Sequence, residues 1–147
     1  MRLATAEFQN GEITMQYMLM CCFDEKVWAK LPDGEKDRII QEYGALIQSL
    51  AKSNQLRGGG PLAPTSSATT VRMKKGKAVL TDGPFAETKE QIGGYHLIEC
   101  KDLDEALSIA TRIPTLPVGG AIEVRQVFQA GDFDANSRPS SGSITRL

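Results

Sequence analysis

The sequence predicts an α+β domain of ferredoxin-like βαββαβ order, with extra hairpin material. Three observations carry this. Apolar spacing alternates between strand and helix periods in the order strand, helix, hairpin, strand, helix, strand. The first strand is apolar on both faces. Turn-forming residues separate every element.

Residues 1–14 are polar and unpatterned, and are expected to be a flexible N-terminal extension. Residues 16–23, QYMLMCCF, read as a strand. Tyr17, Leu19, Cys21 and Phe23 share one face, and Met18, Met20 and Cys22 the other. A sheet with one wet side would alternate with polar residues, so both faces of this strand ask for cover. Helices can supply one cover; a second sheet, from the same chain or a partner subunit, would supply the other.

Residues 34–53 read as a helix with Ile39, Ile40, Tyr43, Leu46, Ile47 and Leu50 in one stripe. Asp33, after Pro32, is the expected N-cap, and the helix should stop near Asn54. Arg57-Gly58-Gly59-Gly60-Pro61 reads as a loop. Residues 66–74 and 77–81 read as paired strands around a Lys75-Gly76 turn. Turn formers and charges crowd 82–94, and 95–100 reads as a strand. Asp102 answered by Glu105 is a capping box, opening a helix that buries Leu103, Ala106, Leu107 and Ala110 and ends before Pro114. Residues 121–128 read as the last strand. From Ala130 the tail is rich in Gly, Ser, Asn, Asp and Pro and is expected to be disordered, leaving 15–129 as the folded unit.

The chain has 147 residues, enough for one domain with a core. Its net charge of −1 argues against nucleic acid, whose binders show a basic surplus. Arg72, Lys74, Lys75 and Lys77 cluster without interleaved aromatics, which suits a solvated hairpin tip better than base stacking. No apolar run approaches a membrane span and no signal peptide is visible, so the expected compartment is the cytoplasm. Cys21, Cys22 and Cys100 lack both a disulfide pattern and metal spacing, and read as small apolar strand residues. Gly58-Gly59-Gly60 follows a helix and precedes a strand, the reverse of a phosphate loop. No metal or cofactor motif is present, so neither is expected.

The stretch Thr81-Asp82-Gly83-Pro84-Phe85-Ala86-Glu87-Thr88-Lys89-Glu90, continued by Gln91-Ile92-Gly93-Gly94-Tyr95, resembles the hallmark of the DGPF-motif branch of the YCII-related proteins. Met15 to Leu19, Ala68 to Arg72, Asp102 to Leu107 and Ile122 to Arg125 resemble that family's flanking strands and second helix. The resemblance implies a dimeric α/β barrel in which two ferredoxin-like sheets enclose a cavity. It also implies an association with alternative sigma factors of the extracytoplasmic type. Shorter relatives have been proposed to be enzymes with a histidine–aspartate pair. In this chain the single histidine, His96, lies in the fourth strand, whereas Asp82 matches the motif.

Asp82 is the leading candidate for chemistry. A turn aspartate normally bonds the N–H two residues on, and here that residue is Pro84, which has none. Its carboxylate either caps Phe85 N–H or is free to bind a ligand or take a proton. Gly83 and Pro84 shape the loop, and Phe85 lines a pocket or plugs the core. Glu87 and Lys89 face a cleft or form a solvated face. His96, on the face of Ile98 and Cys100, is either a helper in proton transfer or a hydrogen-bonded core residue. Arg125, with Glu123 and Val127, is an anion-binding group on a cavity wall or an exposed ion pair.

Two functions follow. One is a homodimeric small-molecule-binding protein, or an enzyme without a cofactor, transferring a proton in a dimer cavity near Asp82. The other is a regulatory interaction module working with a sigma factor.

Overall fold

A computed structural model of the chain describes residues 7–9 and 11–128. The tail expected from Ala130 and the start of the N-terminal extension lie outside the described residues.

Among the described residues the main sheet has five antiparallel strands: β1 (Glu7–Gln9), β2 (Glu12–Phe23), β3 (Leu56–Pro61), β6 (Gln91–Cys100) and β7 (Ala121–Val127). β2 is central, flanked by β6 and β7, and β3 pairs the far side of β6. The second sheet is a separate hairpin of β4 (Thr69–Lys74) and β5 (Lys77–Asp82). Among the described residues, three α-helices complete the fold: α1 (Glu25–Lys30), α2 (Asp33–Lys52) and α3 (Leu103–Ala110). This mixed α+β arrangement is consistent with a ferredoxin-like fold.

One face of the sheet meets the helices. Tyr17, Leu19 and Cys21 of β2, with Ile98 and Cys100 of β6, pack on Leu46 and Leu50 of α2 and on Ala106, Ile109 and Ala110 of α3. Each large side chain so buried contributes on the order of 1.5–3 kcal/mol. The opposite face carries Met18, Met20, Cys22, Ile92, Tyr95 and Leu97, none fully buried. The two-sided pattern of β2 is therefore real: among the described residues the helices bury one side, while the other stays half-buried along β2 and opens at Ile92 and Tyr95.

Several expectations are corrected. Leu56–Pro61 is a strand, not a loop. Its glycines allow the β6 backbone to approach closely: Gly59 has φ +138°, and a Cβ there would lie 2.3 Å from Tyr95 O. The extension is also ordered further upstream than expected: Glu7–Gln9 pairs with Glu12–Thr14. β6 begins at Gln91 rather than Tyr95. Asp33 is the first residue of α2, and its N-cap position is held by Pro32. Ile40 and Leu107 point outward, while Ile109 takes the buried place on α3.

Other local readings hold. Lys75 and Gly76 both have positive φ, the geometry of a tight hairpin turn. Asp102 Oδ1 accepts from Glu105 N at 2.9 Å, and Glu105 Oε2 returns to accept from Lys101 N at 3.1 Å. Asn54, with φ 58°, follows the end of α2.

Candidate functional site

β5 ends at Asp82, and Gly83–Glu90 carries the chain back to β6 without regular structure. This loop is tied down rather than loose. Gly83 N donates to Ala68 O and Thr70 Oγ1 donates to Gly83 O, each at 2.7 Å. Arg72 Nη2 donates to Phe85 O at 3.0 Å, and Gln91 Nε2 donates to Thr88 O.

Facing the loop is α1. Asp24 caps it, accepting from Lys26 N at 2.9 Å, and the edge-on pair Phe23–Trp28 holds it to the end of β2. Gln91 Oε1 accepts from Glu25 N at 3.0 Å. The Glu25 carboxylate in turn grips Thr65, accepting from its N–H at 2.9 Å and from Oγ1 at 2.7 Å. A carboxylate that accepts two hydrogen bonds from one residue fixes distance and orientation together. α1, the segment before the hairpin and the loop after it are thus one hydrogen-bonded frame.

Within that frame lies an open cleft of about 410 Å³. Lys26, Thr65 and Ser66 form one wall. Gly83, Pro84, Ala86, Glu87 and Thr88 form the other, with Gln91 between. The lining carries one ammonium, one carboxylate, three hydroxyls and an amide, of which Thr65, Thr88 and Gln91 already bond within the frame and Lys26, Ser66 and Glu87 are left to meet a small polar ligand.

Gly83, Pro84 and Glu87 are therefore brought together at the cleft. Asp82 stands beside it, exposed, and its carboxylate makes no hydrogen bond among the described residues. Of the two alternatives for Asp82, the cap of Phe85 N–H is not seen among the described residues. Phe85 neither lines the cleft nor plugs the core; it is 76% exposed. Lys89 is exposed outside the lining. Arg125 lies on the uncovered sheet face, its Nε 3.2 Å from Glu123 Oε2, and both are exposed.

His96 is elsewhere. It is 8% exposed, on the helix side of β6, with its ring centroid 5.8 Å from that of Tyr43. Its Nδ1 is buried without a hydrogen bond, and burial pulls its pKa below the ordinary value. Within one chain it does not meet Asp82. The cysteines are equally remote from nucleophilic chemistry: burial pushes all three thiols up, Cys100 to about 12.

Sequence reasoning missed Lys26, Thr65, Ser66, Thr88 and Gln91. The one available signal was Asp24 ahead of a short amphipathic stretch, a helix start that would have placed Lys26 near the end of β2. Among the described residues no group of His, Cys, Asp and Glu is arranged to hold a metal, and no helix is long and apolar enough to cross a membrane.

A model of the YCII-related domain family matches residues 15–131. The chain is also 38% identical over 112 residues to an uncharacterised protein of Rhizobium meliloti (strain 1021), a match covering 76% of this chain and 90% of that protein. Most of β2, all of β3, β6 and β7, the helices and the cleft fall within the matched span, and the chain belongs to the YCII-related domain family.

Proposed function

We propose that this chain is a small-molecule-binding protein whose site is the cleft at the root of the β4–β5 hairpin. The observation that carries this is the Glu25–Thr65 and Gln91–Thr88 frame, which holds Lys26 and the hydroxyls of Thr65, Ser66 and Thr88 around one space. A preformed polar cleft loses little ordering entropy on binding. Lys26 suits an anionic group on the ligand, and Glu87 opposite suits a donor. If the bound molecule reacts, Asp82 is the acid–base group in this reading, because its carboxylate is unengaged and borders the loop. His96 has no part in it, being sealed under the helices.

In the same reading, a second copy of the chain covers the open sheet face. Support comes from a row in which Met18, Met20 and Leu97 are only half-buried and Ile92 and Tyr95 are exposed to water. Glu123 and Arg125 on that face are of opposite sign, so a two-fold axis lets each copy's Glu123 answer the other's Arg125.

A thermal-shift screen of polar metabolites tests the cleft, run on the wild type, Lys26→Met and Asp82→Asn. A true ligand at about 100 times its Kd adds about 2.7 kcal/mol to the wild type. The shift should vanish in Lys26→Met. Hits that stabilise Lys26→Met equally would place the site elsewhere.

A further inference from the structure

The β4–β5 hairpin leaves the body of the molecule. Its strands pair with each other and with no strand of the main sheet. The register puts Val71 opposite Leu80 and Met73 opposite Ala78 on one face. These side chains are bare: Val71 is 62% exposed, Met73 67% and Leu80 69%. The reverse face carries Arg72, Lys74 and Lys77 with Thr70, Thr81 and Val79 among them, and Lys75 sits at the turn. The hairpin is thus an amphipathic ribbon with its apolar side in water.

A two-stranded ribbon alone is marginally stable, and a contiguous bare apolar face marks a contact surface. The root, however, is built firmly. Ala68, Thr70 and Arg72 are all hydrogen-bonded to the loop that follows, and Thr65 is gripped by Glu25. The ribbon is presented at a fixed angle rather than trailing.

We infer that this hairpin is an arm that seats its apolar face on the body of a second copy of the chain. Charge selects that occupant. The hairpin is strongly basic, with Asp82 as its lone acid, in a chain whose net charge is −1, so the remainder of the chain is net acidic. A basic arm on an acidic body is complementary, and a copy of this same chain supplies that body. Two-fold symmetry makes the arm contact twice, adding to the area of a sheet-face interface. The inference rests on the proposed second copy and adds a separate surface to it.

Sedimentation of the full chain over a concentration series tests it, with Val71→Asn/Leu80→Asn on the arm and Met20→Asn on the sheet face. The expected result is a wild-type dimer whose Kd rises at least tenfold in the arm variant. An arm variant with an unchanged Kd overturns the arm, and if Met20→Asn still weakens the dimer, the sheet-face reading survives alone. A wild type that stays monomeric overturns both. Hydrogen exchange on the wild type gives a second readout independent of any variant. Amides of 69–82 should gain protection as concentration rises through the dimer Kd, and protection that is independent of concentration sinks the arm.

Discussion

At the scale of single residues, two positions turn burial and backbone geometry into measurable effects. His96 is held neutral by its surroundings, since burial lowers its pKa from an ordinary value of 6.5. The unfolded chain then binds a proton that the folded chain refuses. This contribution to stability is complete above about pH 6.5 and is lost as pH falls through the depressed folded value. The melting temperature should therefore drop between about pH 7 and pH 5.5, before most carboxylates titrate. His96→Gln should flatten that drop; an identical slope in the variant would assign it to another group. Gly59 gives the second effect. Its φ of +138° and the 2.3 Å approach to Tyr95 O leave no room for a Cβ, whereas a Cβ on Gly58 would meet nothing within 4 Å. Denaturant unfolding should show Gly59→Ala losing more than about 2 kcal/mol, and Gly58→Ala changing stability by less than about 1 kcal/mol. Similar losses at both sites would mean that glycine flexibility, not close approach, matters in β3.

At the scale of elements, β3 is joined to the sheet by a buried ion pair as well as by its backbone ladder. Glu99 of β6 has a side chain only 2% exposed, and Arg57 Nε lies 2.6 Å from its Oε2. Thr14 Oγ1 donates to the other carboxylate oxygen. Removing the arginine alone strands a buried charge. Arg57→Met should cost about 3 kcal/mol, and Arg57→Met/Glu99→Leu should recover a large part of it in the same denaturation assay. If the double variant is as unstable as the sum of its parts, packing by Arg57 rather than charge is responsible. The same strand shows where the sequence stops being legible. β2, α2, the Lys75-Gly76 hairpin and α3 announce themselves through local spacing and caps. β3 does not, because three glycines carry no side-chain pattern and its strand state is imposed by β6. The candidate site divides in the same way. Gly83, Pro84 and Glu87 stand in one unusual stretch and were found there. Lys26 is legible only through the Asp24 helix start, and Thr65 and Ser66 reach the cleft beside the Glu25–Thr65 contact, which spans 40 residues and leaves no local trace. Phe85 fits neither sequence reading, pocket lining nor core plug, because an aromatic in a turn carries no sign of the loop's direction.

At the scale of the whole molecule, the uncovered sheet face and the uncovered hairpin face differ in how they respond to salt. The sheet face is mostly apolar, and the charges of Glu123 and Arg125 on it cancel. Its burial is driven by the hydrophobic effect, which added salt does not weaken. The hairpin adds a basic arm to a body that is otherwise net acidic. Such long-range attraction speeds encounter and is screened over about 8 Å at physiological ionic strength. The proposed dimer should then associate more slowly as sodium chloride rises from about 0.05 to 0.5 M, while its dissociation rate changes little. Subunit-exchange kinetics between labelled and unlabelled protein measure the dissociation rate, and stopped-flow dilution–reassociation measures the association rate. Replacing Lys74 and Lys77 with glutamine should remove most of the salt dependence of association without altering dissociation. Those lysines lie on the ribbon's polar reverse face, away from the apolar contact. A salt effect confined to dissociation would instead mean that the charges are buried in the interface, and the arm would then seat by its basic face rather than its apolar one.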